Sequence, residues 1–324
     1  MGIVFIFFAW WTHIRAFDFY FYLLMGLVIS INGVIYGLAY DSLFPNLIPE
    51  GMFQKGYAIG NLIFPLTNVV VLPVATLVFK HFGVPSLFLV EGFLLLIAVL
   101  FEMQIEITET TKKVDGNPVK NHFTDIKQGF DYIRQEKCIG YVYVFFVVMM
   151  FAHGVNVLIY PFFVQSSSLQ VMNYAFLLSF ESAGYMLGGL MHYFIKIPTH
   201  LRYGISVIVY GTFAVFGGTF FFMPFILMLI TKFVLGFIGM NSANIRVTSI
   251  NHYIDDGMRG RLNAIFQTLV SMATLLGKLI AGYLGEKLSY EMIGLIYGSL
   301  IGIGILLFII GKKSVVMPLY NQEL

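Results

Sequence analysis

The chain has 324 residues, of which 58% are hydrophobic and 11% are charged. Soluble domains carry about 25% charged residues, so this composition excludes an ordinary soluble protein and indicates one that faces lipid over most of its surface. The net charge of +2 gives no indication of a nucleic-acid partner, and the single cysteine, Cys138, excludes an internal disulfide and a cysteine-based metal site.

Nine stretches of the chain are long and apolar enough to cross a bilayer, which takes roughly 20 residues in a helix. They are residues 20–42, 57–79, 85–105, 139–163, 171–194, 202–221, 224–246, 262–284 and 290–310. Residues 1–12 are apolar but short, and Trp10 and Trp11 stand where a signal peptide would have small residues, which favours an incomplete span. The sequence predicts an all-α polytopic membrane protein with about ten transmembrane helices, the first of them partial.

The distribution of basic residues predicts the orientation. If the chain crosses the membrane ten times and both of its ends lie in the cytoplasm, thirteen of the nineteen Lys and Arg residues fall on the cytoplasmic side and three on the other. The remaining three, Lys232, Arg246 and Lys278, lie at membrane depth. The positive-inside rule then predicts a multi-pass protein of the inner cell membrane with a cytoplasmic C-terminus.

The long polar segment 106–138 divides the chain. Its first part, with Gly116-Asn117-Pro118, is typical of a flexible linker. Its second part has apolar residues at 123, 126, 130 and 133, a spacing that predicts an amphipathic helix on the inner leaflet. We therefore expect an incomplete N-terminal bundle at 1–105, this linker, a six-helix bundle at 139–311 and a cytoplasmic tail at 312–324.

A short segment occurs twice. Residues 50–61 are echoed by 256–267, with four of twelve positions identical and an offset of 206 residues (257 − 51). Such a repeat indicates two similar helical bundles in tandem. Lys55 and Arg261 occupy equivalent positions and are predicted to make gating contacts.

Ionisable residues inside a membrane are costly, and each is a candidate functional group. Glu181 lies near the middle of its span and is the candidate proton-coupling residue, with a purely structural role as the alternative. Asp41 lies one residue from the repeat equivalent of Arg246, which suggests a gating charge pair unless both extend separately to the headgroups. Lys278 is a further gating candidate, which would attract an anionic group or pair with an acidic residue. The alternative is that its side chain extends to the headgroups.

Polar side chains that share helix faces are candidates for a substrate cavity, with hydrogen bonding between helices as the alternative. They are Asn32, Tyr36, His153, Asn156, Tyr160, Asn241, Asn244 and Arg246. No second His or Cys shares the face of His153, so no metal site is expected. The Gly184-x-x-x-Gly188 spacing favours close packing within one bundle, and the protein is expected to be monomeric.

Four motifs, in this order and spacing, resemble the drug-efflux branch of the major facilitator superfamily that contains macrolide and enterobactin exporters. They are Phe44–Glu50, Asp125–Ile133, Ser179–Gly184 with Gly188-Gly189, and Gly260-Arg261. The resemblance implies twelve helices in two six-helix halves and alternating access to a central site. The sequence departs from the family pattern in lacking a Gly-x-x-x-Asp-Arg-x-Gly-Arg-like loop, and in having His192 where an acidic residue is expected.

The two halves are unequal in length. Residues 139–255 number 117 before the second copy of the repeated segment, whereas 49 residues precede the first copy, a difference of 68. We expect from this that the chain starts inside the third helix of a twelve-helix protein, with helices 1, 2 and part of 3 missing through a misplaced start or a truncated gene.

The expected function is proton-coupled efflux of an amphipathic small molecule or drug, with the lipid bilayer, protons and that substrate as partners and no cofactor. No nucleotide-binding loop or hydrolase motif is present, so no enzyme activity is expected. Two alternatives stay open: a transport-incompetent fragment of such a transporter, and a metabolite or lipid importer of the same fold.

Overall fold

A computed structural model of the chain describes the backbone of residues 1–15, 17–47, 53–105, 118–166, 169, 171–194 and 197–322. Within these ranges the structure describes the backbone alone at residues 38, 41–42, 44–47, 53–62, 64–65, 68, 118–123, 192–194 and 256–257. The predicted roles of Asp41, Lys55 and His192, and most of the first copy of the repeated segment, therefore lie outside the described residues.

The described residues form helices and turns, with no strand among them. Seven of their helical segments are long and apolar enough to cross a membrane: 19–37, 69–102, 137–165, 199–222, 225–253, 258–285 and 290–310. The all-α, multi-pass architecture is thereby confirmed. The number of ten crossings and the two-bundle arrangement stay predictions.

The chain divides into two compact units, Met1–Lys113 and Val114–Leu324. The first unit contains α1 (Gly2–Ile14), α2 (Phe19–Leu47) and α3 (Phe53–Glu102). Helix α3 covers both predicted spans 57–79 and 85–105, and it is broken at Gly83, where φ is 76° and ψ is −177°. Only glycine adopts this conformation at little cost, so Gly83 marks the boundary between the two spans.

Helix α1 packs closely against the second segment of α3. A Cβ atom added to Gly92 would lie 2.8 Å from Cγ1 of Ile6 and 2.9 Å from the carbonyl oxygen of Gly2. In the most apolar window of each of the spans 19–37 and 69–102, only 6% of the residues are buried, against 56% in 137–165. Most residues of these two apolar spans are therefore not buried within the described part of the chain.

The second unit contains nine helices, all of whose bounds fall within or at the edge of the described ranges. They are α4 (Pro118–Gln135), α5 (Lys137–His153), α6 (Ile159–Gln165), α7 (Val171–Phe194), α8 (Arg202–Thr219), α9 (Phe225–Tyr253), α10 (Asp256–Gly285), α11 (Tyr290–Gly304) and α12 (Lys313–Asn321). A 3₁₀ turn at Gly154–Leu158 joins α5 to α6, and α11 continues as a π-helical segment at Ile305–Ile310. Six of these helical segments, α5 with α6 and then each of α7 to α11, overlap the six apolar stretches predicted for residues 139–311.

Helix α7 has 24 residues but is not among the seven apolar segments. Its polar residues, including Asn173, Ser179, Glu181 and Ser182, lower its mean hydropathy. It is nevertheless packed into the bundle, and Ser179 and Ser182 are buried.

Three helix pairs make the closest contacts in the second unit: α7 with α9, α5 with α10, and α8 with α11. Glycines allow the backbones to touch in each pair. An added Cβ would lie 2.1 Å from the Phe233 carbonyl oxygen at Gly184, 2.0 Å from that of Phe151 at Gly277, and 2.6 Å from that of Ala214 at Gly298. The predicted close packing at Gly184 and Gly188 is thus confirmed, with α9 as the partner helix.

The predicted tail contains a further helix, and its cytoplasmic location stays a prediction. Residues 313–321 form α12, which packs against α5, α8 and α9. Val316, Leu319 and Tyr320 are buried on one face, and the Tyr320 hydroxyl lies 3.0 Å from that of Tyr210. Burial raises the pKa of Tyr320 well above its ordinary value. An i, i+3, i+4 set of apolar residues is enough to seat a short helix on the bundle.

The segment predicted to be amphipathic lies within helix α4, Pro118–Gln135, and its position on the inner leaflet stays a prediction. It packs against α10 and α5. Gly129 faces α10, where an added Cβ would lie 2.3 Å from Cδ1 of Ile265. This helix therefore belongs to the second unit rather than to a free linker.

Candidate functional site

A buried ion pair joins α7 to α9. The Lys232 Nζ atom donates to both carboxylate oxygens of Glu181, at 3.2 Å and 3.1 Å, and the two side chains are 5% and 15% exposed. Glu181 stands ten residues after Val171, roughly 15 Å along the helix and about half the thickness of a bilayer core. The candidate proton-coupling residue therefore has a cationic partner near the middle of its helix.

The glycines between α7 and α9 place these two charged residues within reach of one another. A Cβ added to Gly236 would lie 2.3 Å from the carbonyl oxygen of Glu181 itself. Lys232 stands one turn before Gly236 on α9, so the backbone contact and the ion pair occupy the same crossing point. A larger residue at this crossing would separate the charges.

Asn156 and His153 extend the pair into a hydrogen-bonded chain. The 3₁₀ turn after α5 presents the Asn156 Oδ1 atom to Lys232 Nζ at 3.4 Å. The amide nitrogen of Asn156 lies 3.0 Å from Nε2 and 3.2 Å from Nδ1 of His153. Three of the predicted site residues, Glu181, Asn156 and His153, therefore meet around Lys232.

A small cavity of about 40 Å³ adjoins this group, and both Glu181 and Lys232 line it. That volume is large enough for an ordered water molecule. Phe220 forms part of the wall, with its ring centroid 5.7 Å from Lys232 Nζ. The charges are thus enclosed by apolar groups and share a space that water can enter.

Arg246 lies in a second, larger cavity of the same unit, with a volume of about 280 Å³. Its guanidinium carbon is 4.4 Å from the ring centroid of Phe146 and 4.6 Å from that of Phe266. His153 lines this cavity as well as the smaller one. The two predicted groups, one around Glu181 and one around Arg246, are therefore neighbours.

Arg261 near the start of α10 pairs with the amphipathic helix. Its Nη2 atom lies 2.9 Å from Oδ1 of Asp125, and its Nη1 atom donates to Gln128 Oε1 at 2.7 Å. The two charged side chains are 37% and 43% exposed. Arg261 thus fastens α4 to α10; a role in gating stays a prediction.

The other candidate residues are dispersed. Tyr36 is 56% exposed in the first unit and donates to Glu102 Oε1 at 3.0 Å, and Asn32 is half-buried on the same helix. Tyr160 is 45% exposed and its ring contacts that of Tyr174. Asn241 is buried and donates to the Phe237 carbonyl oxygen one turn back on its own helix.

Asn244 and Lys278 also lie away from the ion pair. Asn244 is half-buried on α9, and Lys278 is exposed on α10. Neither lines the cavities of 40 Å³ and 280 Å³ described above. The predicted roles of these two residues stay predictions.

Lys232 is the residue that sequence reasoning placed at membrane depth without giving it a role. The signal that could have found it is the pair of oppositely charged residues, Glu181 and Lys232, each well inside an apolar span.

A comparison with protein-family models and one with curated proteins both find no match to this chain. The functional assignment therefore depends on the geometry of the site.

Proposed function

We propose that this chain is a membrane transporter of the major facilitator type that exports an amphipathic small molecule in exchange for protons. The observation that supports this function best is the buried Glu181–Lys232 pair between α7 and α9, with Asn156 and His153 attached to it. Charged groups at this depth are costly, and their presence is typical of substrate and proton pathways.

The proposed coupling follows from the balance of charge at the pair. With Glu181 ionised, the pair is neutral, and the attraction holds α7 against α9 at a contact of 3.1 Å. When Glu181 takes up a proton, that attraction is lost and Lys232 is left as an uncompensated buried cation. Movement of the helices that gives Lys232 access to water then becomes favourable, and release of the proton restores the closed pair.

The setting of the proposed transporter follows from the basic residues of the chain. The excess of Lys and Arg on one side supports a location in the inner membrane of a cell with the C-terminus in the cytoplasm. We propose that it acts as a monomer without a cofactor. The glycine contacts of the second unit favour packing within one chain.

Transport is tested in everted membrane vesicles whose lumen is acidified by respiration. Three labelled amphipathic compounds of different charge are offered: erythromycin, ethidium and 2-naphthalenesulfonate. We expect gradient-dependent accumulation of at least one of them, abolished by a protonophore. Glu181→Gln should remove the dependence on the gradient, because the amide cannot exchange a proton.

Glu286→Gln is the matched control, since Glu286 is an exposed carboxylate at the end of α10. The double variant Glu181→Gln/Lys232→Met removes both charges and tests whether loss of coupling results from misfolding. Accumulation of none of the three compounds, or full gradient dependence in Glu181→Gln, contradicts the proposed function.

A further inference from the structure

Arg246 is a cation without an acidic partner among the residues that the structure describes. It forms no ion pair and no hydrogen bond there, and its Nε atom is buried without a hydrogen-bond partner. Its contacts are the two aromatic rings of Phe146 and Phe266. Such cation–π contacts offset part of the cost of burying a guanidinium, but among the described residues they give its N–H donors no hydrogen-bond acceptor.

The cavity beside Arg246 is large and mostly apolar. Its volume of about 280 Å³ is close to the lower end of the range for small-molecule sites. Met149, Phe213 and Val270 are among the apolar residues of its wall, and Gln267 and Tyr185 are among the polar ones. No carboxylate lines it within the described part of the second unit.

The chemistry of the wall defines the ligand. A guanidinium binds carboxylate and sulfonate groups through two parallel N–H···O bonds, and such bonds are stronger when the surroundings exclude water. The aromatic and aliphatic side chains of the wall can contact the apolar body of a ligand. A ligand that also carries a cationic group would find no carboxylate in this wall to pair with. We propose that this cavity binds an amphipathic organic anion, with its acidic group on Arg246 and its apolar body against the surrounding side chains.

This inference specifies the substrate class and so depends on the proposed function for its role in transport. Binding itself is measured without a gradient, which separates the two. The 324-residue chain is placed in lipid nanodiscs and dialysed to equilibrium against labelled 2-naphthalenesulfonate or against the neutral 2-naphthalenesulfonamide. Empty nanodiscs give the background for each compound.

We expect the wild-type chain to bind the sulfonate at least tenfold more tightly than the sulfonamide. Arg246→Gln should weaken binding of the sulfonate roughly tenfold or more and leave the sulfonamide unchanged, as is typical when a charge-assisted hydrogen bond is removed. Arg246→Lys should retain part of the preference. Lys287→Gln is the matched control, because it removes an exposed cation on the same protein.

Equal binding of the two compounds by the wild-type chain overturns the inference, and this comparison needs no variant. Undiminished binding of the sulfonate by a folded Arg246→Gln protein overturns it as well. Anion binding without gradient-driven transport would support the cavity assignment and contradict the proposed function. Gradient-driven transport of erythromycin or ethidium, together with equal binding of the sulfonate and the sulfonamide, would support the proposed function and contradict the cavity assignment.

Discussion

The Glu181–Lys232 pair makes a sharp prediction about stability, because Lys232 is buried, Glu181 is only 15% exposed, and each charge depends on the other. Glu181→Gln leaves the Lys232 ammonium, whose side chain is 5% exposed, without a counter-charge. Removal of one partner of a buried ion pair costs about 3–5 kcal/mol of unfolding free energy, whereas replacing both partners by neutral groups is often neutral or stabilising. The single variants Glu181→Gln and Lys232→Met should therefore each be less stable than the double variant Glu181→Gln/Lys232→Met.

The size of the effect in temperature follows from the size of the second unit. Val114–Leu324 has 211 residues (324 − 114 + 1). For a domain of this length, 1 kcal/mol shifts the unfolding midpoint by about 2–4 °C. A loss of about 3–5 kcal/mol therefore corresponds to a decrease of roughly 6–20 °C for Glu181→Gln. The double variant Glu181→Gln/Lys232→Met should lie within a few degrees of the wild type.

The single cysteine of the chain supplies the assay. Cys138 stands at the start of α5 in the same unit and is 7% exposed. A maleimide dye that fluoresces on reaction with a thiol will therefore respond when this unit opens during heating in detergent. The surface variant Glu286→Gln provides the baseline for an exposed carboxylate.

Two results would refute this reasoning. The first is a Glu181→Gln protein that unfolds at the wild-type temperature. The second is a double variant whose decrease equals the sum of the two single decreases, because independent residues add and coupled residues do not.

Two further predictions concern helix contacts of the second unit. Gly236→Ala should lower the unfolding midpoint by several degrees in the same thiol assay, because the added methyl group would lie 2.3 Å from a backbone oxygen of α7. Gly282→Ala, with no atom within 4 Å of the added Cβ, should leave the midpoint unchanged or raise it slightly, and an equal loss at both positions would contradict the close contact. Asp125→Asn should cost at most about 1 kcal/mol, because its pair with Arg261 is partly exposed, and about 1 M NaCl should reproduce that small change in the wild type. If Asp125→Asn lowers the unfolding midpoint as much as Glu181→Gln does, the Asp125–Arg261 pair contributes more to stability than its exposure indicates, which contradicts the prediction.

The helices of the second unit were predictable because hydropathy and chain breakers act locally. The predicted spans 171–194 and 290–310 coincide with α7 and with α11 and its π-helical continuation. The helix within the predicted tail was not foreseen, since its three apolar residues become significant only when the bundle offers them a surface. The boundary at Gly83 was found only to within a few residues, as is usual where one glycine separates two long helices.

The composition of the site was partly predictable, but its geometry was not. Burial of an ionisable group can be read from the apolar residues around it, which is why Glu181 was a candidate. Its pairing with Lys232 depends on the rotation and depth of α7 and α9 relative to each other, and a single sequence contains no direct record of either. Asn156 joins the pair because a 3₁₀ turn follows α5, a local change of winding that hydropathy does not indicate.

The glycine contacts between α7 and α9 also limit how this protein can change over evolutionary time. Where two side chains meet, an increase in size on one helix can be offset by a decrease on the other. Opposite Gly184 and Gly236, however, the neighbouring atoms are the carbonyl oxygens of Phe233 and Glu181, which no substitution can make smaller. A larger residue at either glycine can be accommodated only if the helices move apart, so a smaller side chain at the contacting residue cannot compensate for it.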